Sequence, residues 1–172
     1  MYARDHDATY PDKKETQFHS ANQVFRELFR EEIINDERIF GCTASPFNPD
    51  RDIGQAPLFD RALTQGECHW MLLKGQSRDS HPKTPIVIEN SLTPGWPPKW
   101  SLNARGTRGS AWPNRKIVIG RNDGSVAVER LREDGTMDWH SPGNLGPDGK
   151  SWIDTLTPEQ LARLSYWDIE EK

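Results

Sequence analysis

Histidine and cysteine are the residue types in this sequence best suited to nucleophilic or metal chemistry. The five histidines lie far apart along the chain: His6, His19, His69, His81 and His140. None belongs to a His-Glu-x-x-His motif, and Cys42 and Cys68 form no Cys-x-x-Cys pair. Cys68 and His69 are adjacent, but neighbours on a strand point to opposite faces, so we expect no imidazole-activated thiol there. The spacing therefore predicts no catalytic residue, no cofactor-binding residue and no metal ligand.

Other enzyme motifs are missing as well. The sequence has no Gly-x-Ser-x-Gly nucleophile turn and no Gly-x-x-x-x-Gly-Lys phosphate loop. We therefore expect a protein that is not an enzyme and needs no cofactor. Metal-dependent catalysis would require carboxylates or histidines from distant parts of the chain to converge in a pocket.

One acidic loop could offer oxygen ligands to calcium. Asn48, Asp50 and Asp52 alternate as in the first part of an EF-hand loop. No glycine follows at the sixth position and no glutamate at the twelfth, so a solvated loop is expected. A disulfide between Cys42 and Cys68, which an oxidising compartment would allow, is left open.

Composition indicates one domain rich in ordered loops. The chain has 172 residues, of which 34% are hydrophobic and 28% charged, with 13 Gly, 13 Pro and 7 Trp. Bulky aromatic side chains packed on loop backbone favour order over disorder. The net charge is −4 and no basic cluster is present, so nucleic acid is not an expected partner. No apolar run reaches the roughly 18 residues of a membrane span, so this chain is not expected to insert in a membrane.

The clearest local pattern is a β-hairpin over residues 116–131. Two β-branched runs flank Asp123-Gly124, a pair typical of a two-residue type I′ turn. This turn pairs Ile119 with Val128. It also places four side chains on one face: Ile117, Ile119, Val126 and Val128.

The other elements are predicted from periodicity and capping residues. A helix over 20–34 starts at Ser20, has an apolar stripe at three- and four-residue steps, and leaves Glu27 outside. Strands are predicted at 68–74 and 84–90, and a last helix begins at Thr157-Pro158 with Trp167 on its apolar side. The fold class is therefore α+β. We expect an antiparallel sheet of at least four strands centred on the hairpin, with the amphipathic helix packed on it.

The long loop over 91–115 suggests a second kind of function. It places Trp96, Trp100 and Trp112 among prolines and glycines. Long loops of this type are often functional, and exposed tryptophans could form a flat face for a glycan. A small extracytoplasmic binding module is therefore an alternative.

Several segments together resemble a known family. The first is Tyr2-Ala3-x-Asp5-x-Asp7-x-x-Tyr10-Pro11, followed by the capped helix, Phe40-x-Cys42, the strand over 84–90 and the Asp123-Gly124-Ser125-Val126 hairpin. This order is similar to that in type II secretion pseudopilins and related type IV pilin-like proteins. Ala8 stands where the family usually has Gly, and Thr43 where it usually has Pro.

The resemblance implies a non-enzymatic subunit that acts through protein–protein packing of a pilin-like head. Residues 1–172 would be a single head domain, in which 1–12 is the remnant of the segment after the family's N-terminal helix and 13–172 the head proper. Partners would be other pilin-like subunits or secretion machinery, at the cell envelope, and the isolated head would be monomeric. The family's basic leader, methylation site and hydrophobic helix are absent from this chain, and its calcium ligands could not be matched to Asp148 or Asp154.

Overall fold

A five-stranded antiparallel sheet carries the structure, which is a computed structural model that describes residues 2–13 and 18–171. Its strands are β1 (Trp70–Leu73), β2 (Pro85–Glu89), β3 (Lys116–Arg121), β4 (Val126–Arg130) and β5 (Tyr166–Trp167). Their order is β4-β3-β2-β1-β5, with antiparallel pairing throughout. The α+β class and the two single strands predicted from sequence are confirmed. The hairpin β3–β4 lies at one side of the sheet rather than at its centre, which β2 occupies.

In the described part of the chain, three α-helices accompany the sheet: α1 (Tyr2–Asp5), α2 (Ala21–Arg30) and α3 (Pro158–Ala162). Short 3-10 turns lie at Pro11–Lys13, Glu37–Phe40, Pro142–Asn144 and Trp152–Thr155. Among the described residues, none of the helices combines the length and the apolar composition that a bilayer crossing requires.

Helix α2 begins as its sequence predicts. The Gln23 N–H donates to the Ser20 hydroxyl over 3.2 Å, and Val24 and Phe29 are fully buried in the core. Two predictions for this helix are wrong. The helix ends at Arg30 rather than at residue 34, and Glu27 is buried and forms an ion pair with Arg30 at 2.5 Å.

The hairpin exists, but its predicted register is wrong by one residue. Ile119 pairs with Ala127, not Val128. The last pair before the turn is Arg121–Ser125, so three residues, 122–124, connect the strands instead of the predicted two. The Arg121 N–H donates to the Ser125 carbonyl, and Gly124 takes a φ of +79°, as in a type I turn followed by a bulge. A one-residue slip turns every side chain of a strand to the other face. The valines of β4 are therefore exposed, while Ile117 and Ile119 are buried.

The C-terminal helix α3 has the predicted cap. The Gln160 N–H donates to the Thr157 hydroxyl, and Pro158 is the first helical residue. Trp167 does not extend the apolar side of this helix. It lies in β5, which pairs with β1 and is too short for a periodic sequence signal.

The N-terminal segment 2–13 packs against the rest of the molecule. The Tyr10 hydroxyl donates to Asn122 Oδ1 over 2.5 Å, and the Gly75 N–H donates to Asp12 Oδ2 over 2.7 Å. Thr9 also forms an isolated bridge with Ser77. The predicted domain covers residues 1–172. Its two end residues, Met1 and Lys172, lie outside the described residues, as do residues 14–17.

Candidate functional site

Cys42, His69 and Glu89 come together beside the sheet. One potential ligand atom of each lies within 4.8 Å of those of the other two, and the described residues contain no other such group of metal-ligating side chains. His69 Nε2 is 3.5 Å from Glu89 Oε1. His69 and Glu89 are buried, whereas Cys42 is partly exposed. Cys42 is thus the most exposed member of the cluster.

Strand pairing and one loop position these three residues. Trp70 pairs with Glu89 between β1 and β2, so His69, which precedes Trp70, lies at the same end of the sheet as Glu89. The His69 N–H donates to the Phe40 carbonyl over 2.8 Å, and the Trp70 indole donates to the Ile39 carbonyl over 3.2 Å. These bonds hold the segment that leads to Cys42 against the start of β1.

Asn90 fixes the orientation of the imidazole. The Gly109 N–H donates to Asn90 Oδ1 over 2.7 Å, so the amide nitrogen of Asn90 faces His69. That nitrogen is 2.8 Å from His69 Nδ1 and 3.0 Å from the His69 carbonyl. An amide nitrogen only donates, so Nδ1 accepts, and the proton of the neutral ring is on Nε2, on the side of Glu89.

The carboxylate of Glu89 is only partly satisfied. Its Oε1 accepts from the Trp112 indole over 2.6 Å, but its buried Oε2 has no hydrogen-bond partner among the described residues. His69 Nε2 is likewise buried, and no atom of the described residues has the distance and angle of a hydrogen bond to it. Burial lowers the pKa of His69, but contacts with Cys42 and Glu89 outweigh this, so the pKa is raised. The site therefore favours positive charge between the thiol and the carboxylate.

Sequence reasoning missed this cluster. Its members are separated by long stretches of chain and fit no short motif. Because Cys68 and His69 were expected to face opposite sides of a strand, His69 was not predicted to belong to a site. The Cys68 thiol itself donates to the Trp70 carbonyl over 3.3 Å. The partner of His69 is the other cysteine.

The side chains of the acidic loop make local contacts. Asn48 Oδ1 accepts from the Cys42 N–H over 3.1 Å, and Asp50 accepts from the Asp52 N–H over 2.7 Å. Asp52 in turn forms an ion pair with Arg61 at 2.8 Å. These local contacts occupy the side chains that the calcium interpretation would need.

The tryptophans of the long loop have structural contacts. Trp100 is 2% exposed, and the Trp112 indole donates to Glu89. Trp96 packs against Trp139 and Trp152, with ring centroids 4.9 and 5.4 Å away. The described structure therefore gives the glycan-binding alternative no exposed platform of three tryptophans.

The two free cysteines should differ strongly in reactivity. Burial raises the pKa of the Cys68 thiol to about 12. At neutral pH roughly one Cys68 in 10⁵ is then a thiolate, the form that reacts with disulfides and alkylating agents. With Ellman's reagent and chelator-treated native protein, we expect Cys42 to react and Cys68 to react only after unfolding. Rapid reaction of native Cys42→Ser would contradict this.

Comparisons of the chain with protein-family models, with curated proteins and with solved structures find no match. The family resemblance described above therefore remains a prediction.

Proposed function

We propose that this chain is the head of a pseudopilin-like subunit of a type II secretion or type IV pilus-like assembly. In this proposal it is not an enzyme and acts through protein–protein packing at the cell envelope. The observation that carries the proposal is the outer edge of β4, which has both the backbone and the side-chain character of a packing surface.

The backbone of β4 has its outward hydrogen-bonding groups at alternate residues. The Arg121 N–H donates to Ser125, and the Leu131 N–H donates to Arg115. In an antiparallel ladder, alternate residues between these two bonds face the same partner strand. The N–H and C=O groups of Val126, Val128 and Arg130 therefore point away from β3. An edge of this kind can accept a strand from another protein.

The side chains of this edge are apolar where solvent would favour polar residues. Val126 is 73% exposed and Val128 62% exposed, on the face opposite the buried isoleucines of β3. Exposed apolar residues on an unpaired edge favour association with a partner, since burying them there removes apolar area from water.

The backbone at Ala8 supports the family resemblance. Ala8 has a φ of +61°, in the left-handed region that glycine adopts without steric cost. It follows α1, and its N–H donates to the Ala3 carbonyl over 2.9 Å. The resembled family usually has Gly at this place in the motif, so the local conformation fits the family's residue better than the one present.

Replacing Ala8 by glycine should therefore stabilise the protein. An alanine in the left-handed region costs about 1–2 kcal/mol of stability, which glycine would avoid. Glycine is more flexible in the unfolded chain, which offsets about 0.5–1 kcal/mol of this gain. We expect the free energy of unfolding to rise by about 0.5–1 kcal/mol, measured by urea denaturation. Ala3→Gly, within α1, is the matched control and should destabilise. A loss of stability in Ala8→Gly would show that the segment does not hold this turn.

Photo-crosslinking in the native host tests the proposed function. A photoreactive residue at position 128, in the protein as the host makes it, should form adducts with a pilin-like subunit or a secretion component. The same residue at exposed Glu159 on α3, away from the β4 edge, is the control and should give fewer such adducts. Equal labelling at both positions, or hydrolytic activity of the purified protein, would contradict the proposal.

A further inference from the structure

We propose that Cys42, His69 and Glu89 bind a single Zn²⁺ ion, with a fourth coordination position toward the partly exposed side of Cys42. This inference goes beyond the proposed packing function and does not depend on it. It assigns one sulfur, one nitrogen and one oxygen ligand, from three separate parts of the chain.

The spacing of the ligand atoms suits a small tetrahedral ion. Zinc bond lengths of 2.0–2.3 Å place tetrahedral ligand atoms about 3.3–3.8 Å from one another. His69 Nε2 and Glu89 Oε1 are already 3.5 Å apart, and all three ligand atoms lie within 4.8 Å. A contraction of at most about 1 Å among the ligand atoms would complete the geometry.

The unpartnered buried atoms point independently to a ligand. Glu89 Oε2 has no hydrogen-bond partner among the residues described, and His69 Nε2 has no partner of hydrogen-bond geometry there beyond its 3.5 Å approach to Glu89 Oε1; the two side chains are only 2% and 6% exposed. Leaving such groups unsatisfied costs about 1–3 kcal/mol each, more for a charged carboxylate. A cation that coordinates the ring nitrogen and the carboxylate removes this cost.

The donor set selects among cations. A thiolate and an imidazole suit Zn²⁺, whereas Ca²⁺ and Mg²⁺ require several oxygen ligands. Binding displaces the thiol proton of Cys42 to solvent, and the thiolate and the Glu89 carboxylate then carry two negative charges, which Zn²⁺ balances. The net charge of the three ligands and the bound Zn²⁺ is therefore zero.

Asn90 is a positioning residue for this ion. Coordination through Nε2 moves the ring proton to Nδ1, which then needs an acceptor. In the structure Nδ1 faces the amide nitrogen of Asn90, so the amide must turn over, losing its bond from Gly109 and its bond to the His69 carbonyl. Asn90→Asp also loses the bond to the His69 carbonyl, but it offers acceptor oxygens to both Nδ1 and the Gly109 N–H without turning. We therefore expect this variant to bind Zn²⁺ about ten-fold more tightly.

Cobalt binding to chelator-treated protein tests the site. Co²⁺ replaces Zn²⁺ in tetrahedral sites and gives a near-ultraviolet charge-transfer band when a thiolate coordinates it. We expect one saturable Co²⁺ per chain with this band, and displacement by Zn²⁺. Absence of the band in the wild-type protein would overturn the proposal, and this result needs no variant to fold.

The second cysteine provides the matched control. Cys42→Ser should abolish the charge-transfer band, and Cys68→Ser should leave it unchanged. His69→Gln and Glu89→Gln should weaken Co²⁺ binding, with folding checked by circular dichroism. A band that disappears in Cys68→Ser but persists in Cys42→Ser would show that Cys68 supplies the thiolate, and would overturn the proposed site. Weaker Zn²⁺ binding by folded Asn90→Asp would contradict coordination through Nε2.

Discussion

Replacing Gly135 by alanine is expected to lower the free energy of unfolding by about 3 kcal/mol or more. Gly135 has a φ of +81°, and a Cβ added there would lie 2.2 Å from the backbone oxygen of Trp100. The Trp100 N–H also donates to the Gly135 carbonyl over 3.0 Å, which ties this turn to a buried tryptophan. Backbone atoms cannot move aside as a flexible side chain would, so the turn must separate from Trp100.

Gly124 gives a matched control in another Asp-Gly turn. Its φ is +79°, but no heavy atom lies within 4 Å of an added Cβ. Gly124→Ala should therefore cost only the backbone term, about 1 kcal/mol. Urea denaturation followed by tryptophan fluorescence measures both variants. Equal losses would show that the contact with Trp100 does not decide the effect.

Arg121→Met should also be strongly destabilising, by about 3 kcal/mol. Arg121 is 8% exposed, and its guanidinium donates to Glu129 over 2.5 Å and to Asn144 over 2.8 Å. Methionine fills similar space but leaves the carboxylate of Glu129 largely buried without its charge partner. The cost comes from that unpaired charge more than from lost contacts.

A double substitution separates these two causes. In Arg121→Met with Glu129→Leu the unpaired carboxylate is gone, so we expect the double variant to be more stable than Arg121→Met alone. Arg130→Met, on the exposed face of the same hairpin, should change stability by less than about 0.5 kcal/mol. Additive losses in the double variant would show that Arg121 and Glu129 are not coupled.

Local signals in the sequence were sufficient for much of the secondary structure. Ser20 and Thr157 predicted the starts of α2 and α3 because a cap involves residues only three positions apart. The fold class followed from the change between helical and strand periodicity. The two-residue strand β5 could not be predicted, because its pairing with β1 comes from packing of the C-terminal segment.

The hairpin register needed the tertiary structure. Asn122-Asp123-Gly124 is compatible with a two-residue or a three-residue connection, since both place Gly at a positive φ. The side chains of β3 face the interior with either connection, so β4 distinguishes the two. Only the second connection puts Glu129 on the same face as Arg121, where its carboxylate accepts from the guanidinium. This choice alone determines that the valines of β4 are exposed and that the sheet has an apolar outer edge.

By itself, the sequence determined α2, α3, β1, β2 and the presence of the hairpin, and it supplied a cysteine, a histidine and a glutamate in unrelated local contexts. Only the tertiary structure decided that Cys42, His69 and Glu89 meet. Pairing of Trp70 with Glu89 and the bond from His69 to Phe40 bring them together. Short motifs report contacts between residues near in sequence, whereas this cluster depends on strand pairing and loop packing, which couple residues that are distant along the chain.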